Sequence, residues 1–213
     1  MRGKIHMNDS LRSFIDNTAK GTPTPGGGSV TALVGSLGAA LLCMVGNFTI
    51  GKPKYKSVEK DVKEILAEAD KLKESLFVLI REDMEAYEKF SRASQMPKDT
   101  PLMREKRKQA LQKTLKEAAE VPWRISQTSL QVIELAEKLL PKGNPNLITD
   151  VGVGVLLAEA ALKSAVLNVK INLSFIKDEE YKNRRSKALE DILSQASQIK
   201  DGVLKVIQEE MGG

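Results

Sequence analysis

One carboxylate in this 213-residue chain stands where packing calls for an apolar side chain. Val62, Ala69, Leu76, Asp83 and Phe90 recur at intervals of seven, interleaved with Ile65, Leu72, Leu79 and Tyr87, which together make the stripe of a long amphipathic helix. A charge inside such a stripe destabilises unless it is paired or used. Partial burial raises a carboxyl pKa towards neutrality, where the group can both give and take a proton, so Asp83 is the candidate general acid/base. Read structurally, the same residue is a carboxylate paired with a neighbouring lysine or capping a kink. Other chemistries are poorly supplied. The single histidine, His6, lies in the polar N-terminal stretch, and the single cysteine, Cys43, sits in an apolar run as a small buried hydrophobe. Metal ligation by His and Cys and histidine-based nucleophilic catalysis are nearly excluded, and no metal or cofactor is expected.

The second candidate is TPTPGGGSVT, residues 22–31, which opens a segment without a charged side chain from Gly21 to Gly51. Neither G-x-x-x-x-G-K-[ST] nor G-x-G-x-x-G is present, so a nucleotide phosphate loop has little support. Glycines at a helix start leave backbone N–H groups unobstructed at the positive end of the helix, suited to a carbonyl or an anionic group. A tight turn made for helix packing is the equal alternative. The amides Asn47, Asn144, Asn146, Asn168 and Asn172 lie near glycine-rich or helix-end positions, where they could read heterocyclic edges or serve as turn and cap residues. Lys52, Lys54 and Lys56 could meet a polyanionic tail or form a solvated loop.

The elements that must position these residues are all helical. Ser10 caps a short helix ending at Gly21; a second helix covers 29 to about 50, a third 57 to about 95, and a fourth starts at Thr100 and Pro101. Pro122 breaks or kinks the fourth, which resumes from Trp123 to Leu140. Thr149 or Asp150 caps a fifth helix reaching about Ile176, and Asp178 caps the last, 179–210, with Ala188, Ile192, Ile199, Val203 and Ile207 inward. The second helix is apolar all round, with Gly28, Ala32, Ser36 and Ala40 at intervals of four that let a neighbour approach closely. It is long enough to cross a bilayer, but its glycines, Ser36 and Asn47 make it a buried central helix rather than a membrane span.

Composition agrees with an all-α bundle of six or seven helices forming one domain. Residues are 41% hydrophobic and 29% charged, with only 4% aromatic, which favours helix packing over sheets. The net charge of +5 comes from basic residues interleaved with acidic ones, so nucleic acid is not the expected partner. One unpaired cysteine and a polar start without a signal peptide fit a reducing, cytoplasmic setting. Residues 1–6 read as an extension, with Met7 as the natural start and 7–213 as the domain. Two small-residue central helices in a modest bundle imply that a second copy completes the apolar surface, giving a homodimer.

In order along the chain, PGGGS (25–29), MVGNFTIGK (44–52), EDMEAY (82–87), MPKDTP (96–101), Val121-Pro122 and NVKIN (168–172) resemble the cyclodeaminase domain of formimidoyltransferase-cyclodeaminase. Stand-alone methenyltetrahydrofolate cyclohydrolases belong to the same group. The resemblance runs from about Met7 to the last helix; Lys170 and residues 1–6 depart from it, and no formimidoyltransferase domain accompanies it. It implies an all-helical enzyme of dimeric or higher assembly acting on a one-carbon tetrahydrofolate, with or without a polyglutamate tail. It also implies Asp83 as the acid-base residue of the D-x-E-A-[FY] motif. The expected substrate-binding set is Pro25, Gly26, Gly27, Gly28, Ser29, Asn47, Lys52, Asp150, Asn168 and Asn172. Cyclodeamination of 5-formimidoyltetrahydrofolate to the 5,10-methenyl compound stands slightly ahead of hydrolysis of that compound to 10-formyltetrahydrofolate. A catalytically inert helical scaffold is the rival of a different class.

Overall fold

The computed structural model describes residues 10–212. The extension at 1–6, with His6, and the start at Met7 lie outside them. Among the described residues there are six α-helices and no strand: α1 Leu11–Thr18, α2 Gly27–Thr49, α3 Glu59–Ser94, α4 Pro101–Leu139, α5 Ile148–Phe175 and α6 Glu179–Gly212. Two short 3-10 turns, Pro53–Tyr55 and Pro145–Leu147, lead into α3 and α5.

Three of the expected caps are formed. Ser10 Oγ accepts from the Ser13 N–H at 3.1 Å, Thr100 Oγ1 from Met103 at 3.2 Å, and Asp178 Oδ1 from Tyr181 at 3.0 Å. The cap of α5 is a correction. Neither Thr149 nor Asp150 caps it, because the 3-10 turn starts the helix at Ile148 and leaves Asp150 inside the first turn. Instead Asn144 Oδ1 accepts from Asn146 N–H at 3.1 Å and caps the turn before it.

Of the break or kink expected at Pro122, the break does not occur: the residue lies buried within one continuous helix. A proline has no N–H for the carbonyl four residues back, which here is Ala118. The Asn172 side chain of α5 reaches that carbonyl, with Nδ2 to O at 3.4 Å, and also bonds the Asn168 carbonyl at 2.8 Å. A neighbouring helix thus fills the gap that would otherwise end this one.

Helix α2 lies between α3 and α5, α4 packs across these three, and α6 lies against α4 and α5. By length and composition α2 could span a bilayer, yet most of it is buried in the bundle. Its glycines are where neighbours come closest. A methyl on Gly38 would sit 2.8 Å from the Gly154 carbonyl oxygen, and one on Gly35 would meet Leu76, Ser129 and Ala161 within 3.3 Å. These contacts run α2 antiparallel to α5, with Gly27 beside Asn168 at one end and Gly38 beside Gly154 further along. The α3 stripe is buried as its spacing predicts from Val62 to Leu79, while Tyr87 is exposed. Arg185 stacks over Trp123, 4.5 Å from the ring centroid, and pairs with Glu120, tying α6 to α4.

Contrary to the all-round burial that its composition suggested, α2 keeps one face uncovered. Leu37 and Phe48 are half exposed on it, and Val153, Leu167 and Ile171 are exposed on α5.

Candidate active site

Asp83 projects from α3 onto the amino end of α2. Its Oδ2 accepts a hydrogen bond from Ser29 Oγ at 2.8 Å, and the Ser29 backbone N–H also bonds it. The carboxylate takes up the room of an absent side chain: a methyl on Gly28 would lie 2.6 Å from its carboxyl carbon, well inside van der Waals contact. Glycine at 28 is therefore a requirement of close approach, set by a residue 55 positions later in the chain.

Electrostatics at this point are unbalanced. The neighbouring carboxylate Glu82 pairs with Arg124, but Asp83 makes no ion pair among the described residues. Burial pushes its pKa up; the bonds from the Ser29 hydroxyl and backbone N–H pull the other way, and burial prevails. The result is a carboxyl held by neutral donors at the positive end of a 23-residue helix, more readily protonated than an ordinary carboxylate.

Around Asp83 the structure gathers part of the expected set. Pro25 and Gly28 are buried and Gly27 is open to solvent. Gly26 begins α2 with no side-chain cap. Asn168 faces this end: its Oδ1 would be 3.7 Å from a methyl on Gly27, while its Nδ2 is committed to the Ser164 carbonyl at 3.0 Å. Asn172 lies one turn beyond, with its amide nitrogen committed to the backbone bonds described above. Ser29, expected to touch substrate, holds the carboxylate; no local pattern reveals that contact, because the two are 54 residues apart.

The remaining three are not brought to this place within the chain. Asn47 and Lys52 lie at the carboxyl end of α2, about 30 Å from Gly27 at 1.5 Å per residue. Asp150 opens α5 at that same far end. A cleft of about 800 Å³ is there too, lined by Lys54, Tyr55, Leu140, Lys142 and Val203 among others; it does not touch Asp83. No group of three or more His, Cys, Asp or Glu side chains suited to a metal occurs among the described residues.

With the fold and this carboxylate in view, comparison with known proteins becomes specific. The formiminotransferase-cyclodeaminase family matches residues 10–191. The chain is 38% identical over 204 residues to a methenyltetrahydrofolate cyclohydrolase of Methylorubrum extorquens, covering 96% of this chain and 98% of that one. It is 33% identical to formimidoyltransferase-cyclodeaminase of Gallus gallus, covering 93% of this chain and 37% of that protein. The chain thus spans little more than a third of this bifunctional relative. A solved structure of formiminotetrahydrofolate cyclodeaminase from Thermotoga maritima superposes with a TM-score of 0.86 at 34% identity, covering 95% of this chain and 97% of that one. The chain belongs to the formiminotransferase-cyclodeaminase family.

Proposed function

We propose that this member of the family is a folate one-carbon enzyme that hydrolyses 5,10-methenyltetrahydrofolate to 10-formyltetrahydrofolate, with Asp83 as general base and then general acid. The observation that carries the reading is the Asp83 carboxyl, desolvated and without a cation yet held by the Ser29 hydroxyl and N–H. Such a group can take a proton from water as the oxygen attacks the bridging carbon between N5 and N10. The same proton then goes to N5 as the C–N5 bond breaks, and the hydroxyl proton leaves as the formyl carbonyl forms. One proton is released overall, which balances the loss of the cationic methenyl bridge. Gly26, Gly27 and Asn168 flank this position and supply its neutral edge.

Both the cyclohydrolase relative and the Thermotoga protein are matched over nearly their whole length, and the identity is higher to the cyclohydrolase, 38% against 34%, which favours hydrolysis. Cyclodeamination is the second reading, supported by the similarity to the Thermotoga protein. In that reaction N10 attacks the carbon of the protonated formimidoyl group, Asp83 carries the N10 proton to the departing nitrogen, and ammonia leaves as the cationic methenyl bridge forms. Both readings share one carboxylate and one reacting carbon. The discriminating measurement is absorbance of the methenyl chromophore, which decays with methenyl substrate in a hydrolase and rises with formimidoyl substrate in a deaminase. An inert scaffold would do neither, and that outcome would remove the proposal.

We also propose a homodimer closed over the uncovered face of α2 and α5. The buried, unpaired Cys43 fits the cytoplasmic setting expected for such chemistry.

A further inference from the structure

The motif MPKDTP, residues 96–101, lies outside the site at Asp83, and it joins α3 to α4 under unusual restraint. Arg107 forks onto the Ser94 carbonyl at the end of α3, with Nε at 3.2 Å and Nη2 at 3.0 Å. Arg104 Nη1 donates to the carbonyls of Lys98 and Asp99, both at 3.2 Å. Facing them, Gln112 fixes the connector between α5 and α6: its Nε2 donates to the Phe175 carbonyl at 3.0 Å, and its Oε1 accepts from the Lys177 N–H at 2.8 Å. Between these clamps is a hollow of about 340 Å³ lined by Lys98, Arg104, Arg107, Lys108 and Lys177, and otherwise only by Leu111 and Gln112.

Five basic side chains and no acidic one therefore share one small hollow. The bonds to backbone carbonyls orient the two arginines without neutralising them, because a carbonyl is an uncharged acceptor. Lys98, Arg104, Arg107 and Lys177 form no ion pair among the described residues, and Lys108 reaches only Glu105, at 3.7 Å in an exposed pair that water screens. Asp178, next to Lys177, is spent on Lys116 and on the cap of α6. On other helix surfaces, charges three or four residues apart are of opposite sign and paired, as in Glu59–Lys63, Arg81–Glu85 and Glu159–Lys163. Arg104, Arg107 and Lys108 place like charges at that spacing, which destabilises a helix unless something neutralises them.

We infer that this hollow is a binding site for a ligand carrying several negative charges on a flexible chain, an oligocarboxylate or an oligophosphate. No aromatic side chain lines it and Leu111 is its one apolar side chain, so it offers charge rather than a surface on which a ring or nucleobase could stack. The cations are also spread out. Arg104 and Lys108 stand about 6 Å apart along α4, and Lys98 and Lys177 extend the row onto the two connectors, which suits a chain of charges better than one compact ion. The hollow lies at the same end of the bundle as Asp83, since the 11 positions of α3 from Asp83 to Ser94 cover about 16 Å. Two sources of the ligand follow: an anionic tail on a substrate seated at Asp83, or a free oligoanion. Only the first of these rests on the folate reading.

The test uses Lys98→Glu/Lys177→Glu, which reverses two exposed side chains that make no hydrogen bond or ion pair among the described residues, so the fold does not depend on them. Calorimetric titrations at about 50 mM salt, with inorganic tripolyphosphate and with a γ-linked triglutamate peptide as probes, should show at least one of them binding the wild type. The double reversal should weaken that binding about tenfold or more, and the neutral Lys98→Gln/Lys177→Gln should weaken it less. Lys60→Glu/Lys138→Glu makes the same change of net charge at the other end of the bundle and should bind as wild type does. Kinetics then identify the source. If the tail is the ligand, lengthening it from one glutamate to three lowers the wild-type KM for the folate substrate, and the double reversal abolishes that gain. A KM indifferent to tail length, or a gain that persists in the variant, makes a free anion the ligand. Failure of both probes to bind the wild type, or binding that survives both the reversed and the neutral double variants, would overturn the inference. If the wild type acts on neither folate, the titrations still decide the site and only the folate reading falls.

Discussion

The two ends of α2 both bury polar groups next to helix termini, and they handle them in opposite ways. At the carboxyl end the accounts close: Thr49 Oγ1 donates to the Val45 carbonyl at 2.7 Å and accepts from the Asn144 N–H at 2.9 Å. Asn144 Oδ1 in turn accepts from Tyr55 Oη at 3.0 Å and from Asn146 N–H at 3.1 Å. Every named group there has a partner of matching character, as a structural network should. At the amino end a carboxylate is pressed against a helix start with neutral donors only, and its protonation equilibrium is displaced. A cleft of about 800 Å³ accompanies the satisfied end. Cleft volume and the perturbed carboxyl therefore point to opposite ends of the same helix, and perturbed titratable groups cluster at functional sites.

The largest expected break in that comparison is Asp83→Asn. An amide keeps an acceptor for Ser29 but cannot exchange the proton, so turnover should fall about a thousandfold, within the range of general acid-base catalysis. Stability should move the other way. The folded-state pKa of Asp83 is raised, so the native state binds more protons than the unfolded chain between the ordinary carboxylate range and the raised value, and stability falls as pH climbs through that window. Above it the penalty is complete. At pH 7 the variant should melt no lower than wild type, and its advantage should vanish as pH drops to the ordinary carboxylate range; thermal melts against pH measure this. A variant that loses both turnover and stability at neutral pH would make Asp83 a structural cap.

Gly28→Ala should come next. The added methyl would overlap the carboxyl group, and the backbone of α2 is held by its packing on α3 and α5, so Asp83 must move. A displacement of about 1 Å at a catalytic group lowers turnover about a hundredfold. Steady-state kinetics beside a urea titration should show turnover reduced far more than stability, whose loss should be about 1–3 kcal/mol from overpacking.

At the opposite end, Thr49→Val keeps shape while leaving the buried Asn144 N–H without its acceptor. The expected loss is about 1–3 kcal/mol of stability, with kcat of the folded protein unchanged. Urea unfolding and kinetics on the same sample check it. A large fall in kcat here would erase the distinction between the ends.

Sequence spacing reveals Asp83 because a seven-residue repeat makes a misplaced charge visible, and the glycines of α2 betray close approach by their intervals alone. It does not reveal what meets those glycines. The partners of Asp83, Thr49 and Asn144 come from 54, 95 and 89 residues away, and such pairings depend on how helices are arranged rather than on local pattern. Pro122 shows the limit most clearly. Its local chemistry predicts a break, while a side chain 50 positions later removes the need for one.

The smallest effect sharpens the amino end by separating its two asparagines. Asn168 Oδ1 is directed to the glycine turn, whereas Asn172 Nδ2 serves the Ala118 carbonyl left free by Pro122. Asn172→Ala should therefore lower stability by about 1 kcal/mol, the usual net worth of one hydrogen bond, with little change in turnover. In a Pro122→Ala background the new N–H at 122 can bond the Ala118 carbonyl, so removing Asn172 should there matter less. The double-mutant cycle of urea-derived stabilities gives the coupling directly. A coupling near zero would detach Asn172 from the proline, and a large kinetic effect of Asn172→Ala in either background would move this amide from the scaffold to the substrate.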